Sequence, residues 1–109
     1  MKYNIRIVDK ERGTSRLESV TGYEVKNDIM RAFIHRSVWS NKWWSISEYY
    51  SGTSARFFCD TTRKGVVKSF LDYARTRNKE DIDKIIDRVV AKHGYANGSE
   101  EERKNEADL

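Results

Sequence analysis

Tyr3, Ile5 and Ile7 alternate with Asn4 and Arg6, the two-residue period of a half-buried strand. Residues 10–14 are polar and include Gly13, which reads as a turn. Residues 15–20 supply a weaker partner strand anchored by Leu17, so the chain is expected to open with a β-hairpin. Thr21 and Glu24 then stand at capping-box spacing. Behind them Ile29, Met30, Phe33, Ile34 and Val38 recur at i, i+1, i+4, i+5 and i+9, one apolar helical stripe. This spacing predicts a helix over 22–38, with Arg31, His35 and Arg36 off the stripe.

After a break at residues 40–42, the run 43–50 is rich in aromatic and β-branched residues. A turn around Gly52 and the segment 54–59 complete a second predicted hairpin. Its alternation puts Trp44, Ile46, Glu48 and Tyr50 on one face and Trp43, Ser45, Ser47 and Tyr49 on the other. Asp60, Thr61 and Thr62 are candidate N-caps for a helix carrying Val66, Val67, Phe70, Leu71 and Ala74, reaching about residue 77. Asn78 is placed to cap a third helix, with Glu80, Asp81 and Asp83 at its positive end. Ile82, Ile85, Ile86, Val89 and Val90 give the clearest helical stripe in the chain, and Gly94 stands where a helix stops.

From Ala96 onward apolar side chains almost vanish, and such a segment buries too little to offset its ordering entropy. The expectation is one α+β domain over 1–95 in the order β-β-α-β-β-α-α, with antiparallel hairpins packed on amphipathic helices. A disordered acidic tail is expected over 96–109.

The length of 109 residues accommodates one domain. The single cysteine, Cys59, forms no intrachain disulfide, which points to a reducing, cytoplasmic setting. No apolar run approaches the roughly 18 residues of a membrane span, and Asn4 and Arg6 interrupt any signal-peptide core. No membrane partner is expected. Two histidines and one cysteine, far apart, do not supply the four paired ligands of a structural zinc site. No cofactor is expected.

The net charge of +4 hides an uneven layout. Between Ile29 and Asn78 there are nine Lys/Arg and three Asp/Glu, whereas the last 14 residues carry a net −3. Arg63, Lys64, Lys68, Arg75 and Arg77 follow the second predicted helix, and Arg56 lies on the strand before it. Phosphate contacts need such cations, although lysine and arginine also solubilise ordinary helix faces. Trp39, Trp43, Trp44, Tyr49 and Tyr50 cluster close by. Adjacent strand residues point to opposite faces, so Trp43 and Trp44 cannot share one core, nor can Tyr49 and Tyr50. Aromatics beside arginine form stacking platforms for single-stranded nucleic acid, and the same residue types anchor protein interfaces.

His35 has no identifiable partner for general-base chemistry, and His93 reads as a helix-end residue whose protonated ring suits the dipole. Cys59 reads as a small buried hydrophobe. No nucleophile–base, carboxylate-pair or metal spacing appears, so no enzyme is expected. The expectation is a non-enzymatic binding protein. Its basic-aromatic surface, Arg56, Arg63, Lys64, Lys68, Arg75, Arg77, Trp43, Trp44, Tyr49 and Tyr50, would engage nucleic acid or a nucleic-acid-processing enzyme. The alternative is a small protein-binding inhibitor or adaptor, of the kind mobile elements direct against a host nuclease or defence complex.

Overall fold

The first hairpin forms where the alternation places it. β1 (Lys2–Asp9) pairs antiparallel with the first half of β2 (Thr14–Lys26), Tyr3 opposite Val20 and Ile7 opposite Arg16. The computed structural model describes residues 1–27, 29–37, 42–73 and 75–107, and of residues 55–59 and 107 only the backbone.

Where a helix was expected over 22–38, residues 22–26 and 31–36 are strand; Asp28 and Val38 lie outside the described residues. β2 continues through Lys26, and its second half pairs with β3 (Arg31–Arg36), Tyr23 opposite Ile34 and Val25 opposite Ala32. The physical reason lies in β3, where Ala32, Phe33, Ile34 and His35 are all buried. A strand covered on both faces reads as a continuous apolar run, and such a run mimics a helical stripe. The turn signal was Asn27. Its Oδ1 accepts the N–H groups of Ile29 (3.0 Å) and Met30 (2.9 Å), a side-chain mimic of a backbone turn.

β4 (Trp44–Glu48) and β5 (Ser54–Asp60) form the second hairpin, with a bulge between Ser45 and Ser47. All five strands join in one antiparallel meander, β1-β2-β3-β4-β5. Three helices follow: α1 (Arg63–Tyr73), α2 (Lys79–His93) and α3 (Glu100–Ala107). The fold is therefore α+β, in the order β-β-β-β-β-α-α-α rather than two β-β-α units. Thr62 caps α1 by accepting the Gly65 N–H, and α1 ends at Tyr73, short of the expected residue 77. Asn78 caps α2 by accepting the Asp81 N–H, and Gly94 closes it by donating to the Val90 carbonyl. Ala74 lies outside the described residues. No helix among the described residues is long and apolar enough to cross a membrane.

One face of the sheet is covered by helices. Ala32, Ile34 and Ile46 pack against Val66 and Phe70 of α1, and Ile29 and Tyr50 pack against Ile82 and Ile86 of α2. The other face is covered by β1. Tyr3 stacks on Phe33 with ring centroids 4.5 Å apart, and Ile5 joins them. β2 must bend to bring β1 over. At Gly22, where pairing passes from β1 to β3, a Cβ would stand 2.6 Å from the Ile34 carbonyl oxygen. Only glycine allows that approach.

The free side of β1 is then stitched down. The Arg6 N–H donates to the Gly52 carbonyl at 2.9 Å. Its guanidinium donates to the carbonyls of Ser51 (3.0 Å) and Gly94 (2.8 Å) and to Ser15 Oγ (2.9 Å). Asn97 exchanges hydrogen bonds with the Asn4 backbone and donates to the Tyr49 carbonyl. Gly52 has φ +72°, and a Cβ there would meet Ala96 Cβ at 2.7 Å.

Within the segment 96–109, expected to be a disordered acidic tail, Glu100–Ala107 form the helix α3. Asp108 and Leu109 lie outside the described residues. An eight-residue helix without an apolar face does not stand alone in water. Here its charges hold it. Arg31 Nη1 donates to Glu102 (3.0 Å) and Glu106 (3.3 Å), while its Nε donates to Glu24 at 2.5 Å. The Tyr50 hydroxyl donates to Glu106. Arg103 reaches back to Asp87 of α2 at 2.6 Å. Burial alone works against the charged form of Arg31, but the hydrogen bonds to Glu24 and Glu102 outweigh it, and its pKa rises. Ser99 caps the helix by accepting the Glu102 N–H.

Replacing Glu102 and Glu106 by glutamine is expected to release α3 selectively. Loss of about 1.5–3 kcal/mol per charged hydrogen bond corresponds to roughly tenfold to hundredfold faster amide hydrogen exchange in α3. The β3 and α2 amides should keep their protection. Equal protection of α3 in the variant would show that its charges do not hold it.

Candidate binding surface

The end of the sheet at Arg36 and Trp44 lies beside the start of α1. Arg36 and Trp44 are cross-strand neighbours, and Trp44 pairs on its other side with Asp60, the last residue of β5. Three residues on, α1 begins with Arg63. This places three chain segments at one corner. The Arg36 guanidinium sits 4.0 Å from the Trp44 ring centroid. The Arg63 guanidinium lies 5.5 Å from the same ring and 4.9 Å from the Tyr23 ring, bridging the two. Both contacts fall within the range of cation–π attraction. Tyr23 is 55% exposed and Trp43, just before β4, is 44% exposed, whereas Trp44 is half-buried against the helix-side core.

Lys64 and Lys68 continue from Arg63 along α1 and are exposed. They stand one turn apart, so their ammonium groups project from the same side. No acidic residue occupies the first turn of α1. The Asp60 carboxylate nevertheless stands just before that end, accepting from the N–H and hydroxyl of the capping Thr62, and those hydrogen bonds lower its pKa. The positive end of the helix dipole is thus already answered, and the cationic character of this corner comes from side chains.

The other residues singled out from sequence lie elsewhere. Arg75 and Arg77 follow the end of α1. Arg75 is paired with Asp72 at 3.8 Å, and Arg77 lies 5.5 Å from the Tyr73 ring. Tyr49 carries the Arg31 guanidinium 3.7 Å from its ring centroid, at the opposite end of β3. Tyr50 is 4% exposed and belongs to the core, so it is not available to a partner. Burial and the hydrogen bond to Glu106 both raise its pKa. The side chains of Arg56 and Cys59, and all of Trp39, lie outside the described residues. Tyr23 and Arg36 were not singled out from sequence, because both fell inside the expected helix. The pairing of β2 with β3 and of β3 with β4 brings them to Trp44.

Neither histidine is free to act as a base on an outside molecule. His35 is buried, and its Nδ1 donates to the Arg36 carbonyl at 2.7 Å. That leaves Nε2 to accept from the Ser47 hydroxyl at 2.8 Å. His93 Nδ1 contacts Ser15 Oγ at 3.0 Å, and that hydroxyl also accepts from Arg6. Partial burial, with Arg6 and Lys92 nearby, lowers the His93 pKa, so the protonated helix-end role expected for it is disfavoured. Among the described residues no group of three or more His, Cys, Asp or Glu is arranged to hold a metal. The chain matches no protein-family model, no curated protein and no solved structure.

Burial also depresses the His35 pKa below its ordinary 6.5. Below that value the unfolded chain binds the proton more readily than the folded one. Stability is therefore lost as pH falls through this window. His35→Gln keeps an acceptor near Ser47 and cannot protonate. Its destabilisation at pH 7.5, about 1–2 kcal/mol for lost hydrogen bonding, is expected to shrink at pH 5. Urea denaturation of both proteins at the two pH values measures this. A cost that does not change with pH would mean that His35 is not held neutral.

Proposed function

We propose that this protein binds single-stranded nucleic acid through the corner formed by Tyr23, Arg36, Trp43, Trp44 and the Arg63–Lys68 turn of α1. The observation that carries this reading is Arg63, whose guanidinium bridges Tyr23 and Trp44 while Lys64 and Lys68 extend beside it. A phosphodiester chain needs cations along its backbone and flat apolar faces for its bases, and this corner supplies both. The exposed Tyr23 and Trp43 offer ring faces that no core requires. The role is one of binding, without catalysis, in a cytoplasmic setting.

A second reading follows from the same exposed rings. Tryptophan, tyrosine and arginine also anchor protein interfaces, so a nucleic-acid-processing enzyme is the alternative partner, with this chain as its inhibitor or adaptor. Salt separates the two readings. Phosphate contacts release counterions, whereas a centre of packed rings depends weakly on salt.

Fluorescence anisotropy with a labelled single-stranded oligonucleotide, across a salt series, tests the proposal. Reversing Arg63, Lys64 and Lys68 to glutamate is expected to abolish tight binding. Neutralising them to glutamine should flatten the log–log salt slope by about 2, at roughly 0.7 per phosphate contact. Tyr23→Ala should weaken binding roughly fivefold to hundredfold, the range for one stacked base, and leave the slope unchanged. Binding with no salt dependence would remove the direct nucleic-acid reading.

A further inference from the structure

A groove of about 340 Å³ lies between the strands and α2, far along α1 from the corner described above. Ile46, Tyr73, Ile82, Ile85 and Ile86 make it apolar. Glu48 lines its inner part and the exposed Arg77 its outer part. Ile85 is 48% exposed, although it points from a helix whose neighbouring isoleucines are core.

Glu48 is the feature that the rest of the fold leaves unexplained. It is 6% exposed, on the helix-covered face of the sheet opposite Ala32. Its carboxylate accepts the N–H groups of Tyr50 and Ser51, each at 2.7 Å, and so holds the turn after β4. Two backbone amides satisfy hydrogen bonds but add no positive charge. Among the described residues Glu48 forms no ion pair. Arg103, the cation closest in effect, is itself engaged by Asp83 and Asp87. Burial accordingly pushes the Glu48 pKa up, against the lowering influence of those amides. Turn formation alone does not require a charged side chain with apolar walls around it. Buried carboxylates are normally paired with a cation.

We infer that this groove is a binding site for a small aliphatic ammonium ion, its nitrogen on the Glu48 carboxylate and its carbon chain among Ile46, Ile82 and Ile85. The carboxylate accepts from two backbone amides and from the Ser51 side chain, and with about four lone-pair sites it retains one for a further N–H donor. The groove volume sits at the small end of ligand pockets, which fits a short chain rather than a polycyclic body. Arg77 at the outer part disfavours a second positive charge, so the site suits a monoamine rather than a diamine.

Titration of the full-length protein with n-hexylamine at pH 7.5, followed by amide chemical shifts, tests this, with hexan-1-ol as the neutral isostere. Hexylammonium is expected to give saturable shifts around Glu48, Ile82 and Ile85 and to bind about tenfold or more tightly than hexanol, as a charge-assisted hydrogen bond provides. Glu48→Gln should bring the two ligands to equal affinity. Ile85→Trp, at a half-exposed position, should weaken both by filling the groove, and it keeps the test open if Glu48→Gln does not fold. Hexanol binding as tightly as hexylammonium overturns the inference. So does the absence of saturable shifts from hexylammonium, or hexane-1,6-diamine binding as tightly as the monoamine.

Discussion

β3 is the strand on which the rest of the molecule depends, because it is buried on both faces. Ala32 and Ile34 face the helices, while Phe33 and His35 face the other way. A strand of that kind needs two covers. α1 and α2 supply one. The second comes from the sheet itself, since β2 is long enough to pair with β1 in its first half and β3 in its second. The bend at Gly22 then folds β1 back so that Tyr3 stacks on Phe33.

Bending β1 over leaves its outer edge needing partners, and the hydrogen bonds of Arg6 and Asn97 meet that need. Arg6 gathers carbonyls from the β4–β5 turn and from the end of α2, and burial lowers its pKa because a guanidinium there loses water. Asn97 ties β1 to the backbone of Tyr49. These bonds fix where the chain goes after α2. It passes close to Tyr49 and Tyr50, and α3 therefore begins within reach of Arg31. The docking of an acidic helix without apolar residues is a consequence of the same closure. α3 is held by charge because the path of the chain leaves it next to the one end of β3 where a largely buried arginine needs carboxylates.

The sequence was readable wherever one periodicity had one interpretation. β1 shows clean alternation, and α2 shows a clear stripe with Asn78 and Gly94 at its ends; both form as expected. The second hairpin was legible from its aromatic run and Gly52. β3 was not, because burial on both faces erases the alternation that marks a strand, and Phe33 with Ile34 then falls into helical register with Ile29 and Met30. Asn27 was the available warning. The order of α3 was also illegible from hydropathy, since ion pairs across more than 70 residues of chain leave no periodic trace. Ser99 followed by Glu102 was the local sign of a helix start. For the candidate surface, the basic positions on α1 were visible. Their aromatic partner Tyr23 was hidden inside the misread segment, while Tyr50 looked like surface and is core.

The two ends of β3 repeat one motif with opposite surroundings. At one end Arg31 lies over Tyr49, and three carboxylates from β2 and α3 close around it. At the other end Arg36 lies over Trp44, the carboxylate beside it, Asp60, is engaged by Thr62, and Arg63, Lys64 and Lys68 extend along the surface. Glu102 and Glu106 of α3 are committed to the Arg31 end, while Glu100 pairs with Lys104 within the helix. Within a Debye length of about 8 Å at physiological salt, each end is governed by its own neighbours. An anionic chain approaching the protein meets a neutralised arginine–tyrosine pair at one end of the strand and an extended cationic one at the other. Removing α3 would alter the first end and leave the second unchanged. That asymmetry is why the binding reading attaches to the Tyr23–Arg63–Trp44 corner and not to the equally aromatic Tyr49 end.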